Sequence, residues 1–316
     1  MGKINAVISG VGGYVPDYIL NNEELSRMVD TTDEWITTRV GIKERHILTE
    51  EGLGTSYLAR KAAKQLIQKT GVDPDTIDAL IVTTTTPDYK FPSTASIVLG
   101  KLGLKNAFAF DFSAACCGFL YTLDVAASMI QSGRYKKIIV IGADKMSSLV
   151  DYTDRATCVL FGDGAGAAIF ELCDAPFAIT LGARGDEAIH EGGPCRTGSA
   201  PISMDGRAVF RFAVDALPRC LHAVLDETQL ALDDVDWVVC HQANSRIIDH
   251  CVKALHADAA KFYKNMDRHG NTSAASIPVA LNELAENGQL QPGQLLACIG
   301  FGGGLTWGGT IFQYKE

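Results

Sequence analysis

The chain has no run of apolar residues approaching the roughly 18 that a bilayer-spanning helix requires, so no membrane span is expected. Its first residues, Met1-Gly2-Lys3-Ile4-Asn5, turn straight into a strand-like run without a long apolar region, and no secretion signal is expected. The nine cysteines, an odd number, contain no C-x-x-C pair, which excludes a disulfide framework and a zinc ribbon. They read instead as reduced thiols in the cytoplasm, and no metal is expected. Positive charge is short: 28 Lys and Arg against 37 Asp and Glu give −9, so binding of the whole molecule to nucleic acid or an anionic membrane is not expected. With only 10 prolines, 21% charged residues and 47% apolar ones, disorder, collagen and coiled coil are excluded. The glycine runs Gly162–Gly166 and Gly300–Gly304 lack both the Walker Lys-Ser/Thr and a full G-x-G-x-x-G, so they do not indicate a nucleotide loop. Such runs also bring backbone N–H groups close to a reacting carbonyl.

What is present is an alternation of short β-rich runs with longer helical patterns. Helices are predicted over Thr55 to Thr70, Gly118 to Gln131, Phe212 to Asp226 and Ser276 to Asn287; strands are predicted at Ala79–Val82, Ile138–Ile141, Trp237–Cys240 and Leu295–Ile299. This is α/β grammar. The pattern also repeats. Asp78–Thr83 aligns with Asp236–His241, and Ile141-Gly142 with Ile299-Gly300, both at an offset of 158, half of 316. Asp111–Cys116 falls opposite Asp267–Thr272 at 156. We therefore expect two halves of one compact unit, 1–170 and 171–316, related by a pseudo-two-fold axis. The stretch Gly182 to Asp205 breaks the pattern with Gly, Pro, Ser and charges and is expected to be an excursion or loop between the halves, either a disordered surface loop or one that contacts substrate.

Cys116 follows a strand-like run and precedes a helix that is apolar on most faces. At the N-terminus of a buried helix the macrodipole would favour its thiolate, although one cysteine among nine is more often packing, as Cys117 is expected to be. His241 ends a predicted strand and Asn271 lies in a polar turn before a helix, the places where α/β folds present functional groups. His269 competes with His241 for the same role.

In order, Asp30–Ile36, Ala114-Ala115-Cys116, Phe161–Gly166, His241–Asn244, His269–Ser276 and Phe301–Gly304 resemble β-ketoacyl-acyl-carrier-protein synthase III, the initiating condensing enzymes of type II fatty-acid synthesis, from end to end. The resemblance implies a thiolase-like duplicated five-layer αβαβα core, two βαβαβαββ halves, a homodimer and no cofactor. It makes Cys116 the nucleophile that takes an acyl group from acyl-CoA. His241 and Asn271 become donors to the thioester oxygen of malonyl-acyl-carrier protein, and the N–H groups of Cys116 and Gly303 become the oxyanion hole. It assigns Trp35, Arg155 and Arg39 to the nucleotide end of CoA, and Thr31, Gly206, Phe210 and Asn244 to the pantetheine tunnel; read alone, Trp35 packs a surface turn. Arg246, His250 and Lys253 on one helix face, with Arg211, are implied to dock the acidic carrier, with Ala254 where relatives often carry another basic residue. Phe91 is implied to line the acyl pocket across the dimer interface, while Leu305 and Val40 depart from the common pattern. A thiolase using Cys298 and a papain-like hydrolase are the rival enzymes. Condensing or acyl-transfer relatives of secondary metabolism, and a non-catalytic acyl-binding relative, are the wider alternatives.

Overall fold

The computed structural model describes residues 6–191 and 201–315. Ten strands build the core. The first five are β1 (Ala6–Tyr14), β2 (Ala79–Thr83), β3 (Phe108–Phe112), β4 (Lys137–Lys145) and β5 (Asp163–Leu172). The second five are β6 (Ala178–Asp186), β7 (Trp237–Cys240), β8 (Phe262–Tyr263), β9 (Leu295–Gly302) and β10 (Gly304–Tyr314). The spatial order is β3-β2-β4-β5-β1 in the first half and β8-β7-β9-β10-β6 in the second, so each strand has its counterpart in the same place. The two sets touch through a short parallel register, Val7 with Gln313 and Ile8 with Tyr314.

The helices repeat as well. Outside the first sheet lie α2 (Thr55–Thr70) and α3 (Thr94–Leu102), preceded by the peripheral α1 (Asp33–Val40). Between the sheets run α4 (Gly118–Gln131) and α7 (Ser276–Glu286), while α5 (Gly206–Thr228) and α6 (Ser245–Ala254) cover the second. Each half is thus βαβαβαββ, and the layers stack αβαβα, as expected for a thiolase-like fold. The expected boundary at 170/171 lies within the last residues of β5.

Local chemistry explains the repeat. β2 is buried throughout, as a central parallel strand must be, and its sequence is continuously apolar. Ahead of it, the Asp78 carboxylate accepts from the Lys136 and Lys137 amides at 2.6 and 3.0 Å. Its counterpart Asp236 accepts from Leu295 N–H at 2.8 Å. These side chains anchor the fourth strand of each half against the second, which is why the aspartates recur. The middle helix α4 buries Phe119, Leu120, Leu123, Ala126, Ala127 and Ile130, consistent with a helix apolar on most faces.

One expectation needs correction. Gly182 to Asp186 belong to β6, and Ile189–Glu191 pairs antiparallel with Ile202–Met204, so the described part of this stretch is ordered sheet. Exposed Gly, Ser and charges on a hairpin mimic loop composition; Cys195 and its neighbours lie outside the described residues.

The contact between halves is tight where the site forms. A Cβ placed on Gly142 of β4 would lie 2.2 Å from the Ala274 carbonyl oxygen. Gly142→Ala is expected to lower stability by about 1–3 kcal/mol, the usual cost of overpacking a filled interior. Urea denaturation measures it, and an unchanged midpoint would contradict this packing.

Candidate active site

Three turns converge on one cavity of about 540 Å³ lined by Cys116, His241 and Asn271. Cys116 sits in a 3-10 turn, Ala115–Cys117, between β3 and α4. Ala115 adopts φ 48, a left-handed conformation that costs a non-glycine residue on the order of 1 kcal/mol. The β9–β10 hairpin packs over this turn: a Cβ on Gly302 would lie 2.9 Å from the amide nitrogens of both Cys116 and Cys117, so only glycine fits there. Gly303 follows at the hairpin turn, beside Ala115, and is not itself among the cavity-lining residues.

His241 follows β7 and is fixed at both ends. Its N–H donates to Ile299 O at 2.8 Å, and its Nδ1 lies 2.6 Å from Ser276 Oγ at the start of α7. The ring meets Phe301 edge-on, centroids 5.2 Å apart. Burial pushes its pKa down to about 3, so the imidazole is neutral at physiological pH.

Asn271 is held by a two-bond clasp, its N–H donating to Leu160 O (2.8 Å) and its carbonyl accepting from Gly162 N–H (3.1 Å). Its side-chain oxygen accepts from Ser273 N–H at 2.9 Å, which commits the oxygen and leaves the NH2 as the group free to donate. His269 does not join the cavity; it lies beside His46 and bonds Glu283.

The thiolate expected from a helix terminus needs correction. The helix proper opens at Gly118, two residues after Cys116, and enclosure of the thiol pushes its pKa up to about 12. A Ser273 hydrogen bond and the residue's own N–H work in the opposite direction, while Asp144 adds to the rise. The resting site is therefore a neutral thiol facing a neutral imidazole. Cys117 is fully buried packing, as expected, and Cys298 is buried between the layers away from the cavity.

Of the other anticipated residues, Trp35, Arg39, Gly206, Phe210, Asn244, Arg211 and Arg246 line the cavity. At its mouth the Trp35 ring has the Arg39 and Arg155 guanidinium groups at 4.6 and 4.8 Å from its centroid, so this indole is more than surface-turn packing. Arg155 donates to Asp30 O, and Thr31 is buried nearby; neither lines the cavity. Asn244 caps α6, accepting from Arg246 N–H at 2.9 Å. Arg246, His250, Lys253 and Arg211 are exposed, and Arg246 lies over Phe210. Phe91 stands clear of the cavity with 85% of its surface exposed. The sequence reading missed the walls Val159, Leu160, Ile189, Ile202 and Met204, and the partners Ser273 and Ser276. Their apolar or small side chains carry no local signal, although Ser273 and Ser276 lie within the His269–Ser276 motif. Among the described residues no cluster fit to hold a metal occurs, and no helix is long and apolar enough to cross a membrane.

This fold and this apolar, thiol-bearing cavity define a thiolase-like acyl-transferring enzyme. The family model for 3-oxoacyl-acyl-carrier-protein (ACP) synthase III matches residues 110–185, and the model for the C-terminal part of that family matches 225–314. The chain is 52% identical to the β-ketoacyl-acyl-carrier-protein synthase III of Phocaeicola vulgatus, covering 99% of this chain and 98% of that one. It is 51% identical, with the same coverage, to synthase III 2 of Bacteroides thetaiotaomicron. The crystal structure of the Aquifex aeolicus 3-oxoacyl-acyl-carrier-protein synthase III superposes with a TM-score of 0.92 at 42% identity, over 98% of this chain and all of that one. A priming β-ketosynthase of a polyketide pathway superposes with 0.94 at 32% identity, over 100% of this chain and 98% of that one. The chain belongs to the β-ketoacyl-acyl-carrier-protein synthase III family, which initiates condensation in type II fatty-acid synthesis.

The buried neutral His241 makes a pH prediction. Above about pH 6.5 the residue is neutral both folded and unfolded; as pH falls from there toward 3, the unfolded chain takes up a proton that the folded site refuses, and stability is lost. Urea midpoints at pH 7.5 and pH 5 should therefore drop less for His241→Gln than for wild type. Parallel drops would contradict a neutral buried imidazole.

Proposed function

We propose that the protein condenses a short acyl-CoA primer with malonyl-acyl-carrier protein, giving β-ketoacyl-acyl-carrier protein, CoA and CO2. The convergence of Cys116, His241 and Asn271 on one apolar cavity with a cationic, aromatic mouth carries this reading. Cys116 sulfur attacks the thioester carbonyl, the C–S bond to CoA breaks, and the thiol proton ends on the departing CoA sulfur. The tetrahedral oxygen is held by the N–H groups of Cys116 and Gly303, neighbours of the hairpin that Gly302 brings against the nucleophile. The second thioester then places its carbonyl oxygen between two donors. The Asn271 NH2 is one. The other is His241 Nε2–H, because Ser276 Oγ, taking the Gln242 N–H at 3.4 Å, keeps its own O–H for Nδ1. Loss of CO2 leaves an enolate whose oxygen these donors stabilise; its carbon attacks acyl-Cys116, and the sulfur departs and regains a proton. Neutral donors suit this step, since the negative charge arises only as CO2 leaves.

Trp35 with Arg39 and Arg155 offers a stacking and phosphate site for the nucleotide end of CoA, and Gly206, Phe210 and Asn244 follow the pantetheine inward, whereas Thr31 is outside the cavity lining. Arg211, Arg246 and Lys253, with His250, form an exposed basic face in an acidic protein, a local match for an acidic carrier. β3 ends the sheet order and exposes its first residue, Phe108, and Tyr89 and Phe91 in the segment before α3 are exposed as well. Such an edge with aromatic flanks fits a second copy, making a homodimer in which Phe91 reaches the partner's acyl pocket. The reaction requires no cofactor, and we place the enzyme in the cytoplasm, where both substrates are made.

Mass spectrometry of the protein after incubation with acyl-CoAs of graded length should show an acyl group on Cys116 that malonyl-carrier protein discharges as a β-ketoacyl product. Acylation without discharge would move the protein to another acceptor, and no acylation would leave only the fold. Asn271→Ala should retain acylation and lose condensation by about 100-fold, the scale of a lost oxyanion donor; equal loss of both steps would refute its role. Arg246→Glu should raise KM for malonyl-carrier protein while acylation by acyl-CoA stays intact, and an unchanged KM would remove this face as the docking site.

A further inference from the structure

Asp144, near the end of β4, is fully buried, and the steps above do not use it. Its Oδ1 accepts from Thr84 Oγ1 (2.9 Å), Thr85 N–H (2.7 Å), Thr85 Oγ1 (3.1 Å) and Thr86 Oγ1 (3.1 Å). Its Oδ2 accepts from Ala274 N–H at 3.2 Å. These partners are neutral, and the neighbouring Lys145 ammonium is engaged by Leu53 O. A buried carboxylate is costly unless its lone pairs are filled, and here five donors fill them. Those donors come from two places. The threonines form the segment that leaves β2 toward Phe91, in the first half. Ala274 belongs to the Ser273–Ala275 turn, in the second half. Ser273 is itself left-handed (φ 53), donates its N–H to Asn271 Oδ1, and its side chain lies near enough to the Cys116 thiol to favour ionisation.

We propose that Asp144 is a positioning residue for the condensation step: it clamps the Ser273–Ala275 turn to the Thr84–Thr86 segment, and so sets Asn271 and the Ser273 hydroxyl against Cys116. The inference rests on the roles assigned above to Cys116 and Asn271. Asn271 is held by one side-chain bond to a turn that, left alone, would relax from its left-handed conformation. The carboxylate fixes the amide that follows Ser273, so the turn cannot rotate without leaving a buried acceptor unfilled. The same charge stands close enough to the thiol to oppose its ionisation; His241 across the cavity and Cys117 beside it are the other titratable groups facing that sulfur.

Asp144→Asn keeps the volume but turns an NH2 toward Ala274 N–H or the threonines. Three readouts are taken on the full chain: Cys116 acylation by acyl-CoA, β-ketoacyl formation, and the pH midpoint of Cys116 alkylation by iodoacetamide. We expect acylation within about threefold of wild type, condensation reduced at least about tenfold, and the alkylation midpoint lowered as the opposing charge goes. Parallel loss of both steps with an unmoved midpoint would overturn the proposal and leave Asp144 a structural group. If Asp144→Asn does not fold, Thr84→Val decides: it removes one donor without changing volume, and condensation should fall about threefold relative to acylation. An unchanged ratio overturns the proposal. Failure of wild-type Cys116 to be acylated would instead count against the function assigned above, so the two failures are distinguishable.

Discussion

The site depends on two left-handed turns packed on each other where the halves of the molecule meet. Ala115 and Ser273 both have positive φ, and both open 3-10 turns that lead into the two helices between the sheets. They are separated by 158 residues, the spacing of the repeat, so they are the same position of the fold used twice. A side chain in that conformation is disfavoured on its own, and tertiary contacts must hold it there. In the first half the holder is the β9–β10 hairpin, whose Gly302 lies against the Cys116 and Cys117 amides. In the second it is Asp144 through Ala274, with Asn271 reading the result through Ser273 N–H. One copy of the turn presents the sulfur and the other presents the amide. Neither half contains a complete site.

The electrostatics follow from that enclosure. The surroundings are largely apolar, so burial pushes the Cys116 thiol pKa up and the His241 imidazole pKa down. Ionised groups would be costly there before substrate arrives. Neutral donors of fixed direction cost little in the resting state, and in the proposed reaction they would act only when an oxyanion or enolate forms, which favours the transition state. Cationic side chains stand at the mouth, where Arg39 and Arg155 flank Trp35 in contact with solvent.

Much of this was legible in the sequence. Helices α2 and α4 begin and end where their apolar periodicity and flanking glycine predict, and the offset of 158 identified the paired strands because aspartates 78 and 236 perform the same local bonding. Cys116 was legible after a strand and before an apolar helix, His241 at a strand end and Asn271 in a polar turn before a helix, and the structure gathers them in one cavity. The thiol's ionisation was not legible: the macrodipole is a local property of the helix, while enclosure depends on Asn271, Phe301 and Gly302, which arrive from the other half. Asp144 carried no signal either, since its five donors lie 58 to 130 residues away. The ordered hairpin around Ile189 and Ile202 was hidden by the polar composition of its outward face, although its inward residues wall the cavity.

The division between a dry interior and a charged rim also explains how a protein of net charge −9 can take a polyanionic substrate and an acidic partner. Screening confines the influence of distant exposed carboxylates to about 10 Å at ordinary ionic strength. On the docking proposed above, what an incoming phosphate or carrier helix would meet is therefore the local set: Arg39 and Arg155 at the indole, then Arg207, Arg211 and Arg246, the last over Phe210. These side chains lie on α1, α5 and α6 and on the short helical segment Arg155–Cys158 that precedes β5. The surrounding negative surface repels the same ligands elsewhere, which narrows productive encounters to the rim. Net charge is thus compatible with the proposed binding, because the rim presents cations in front of an apolar passage to the sulfur.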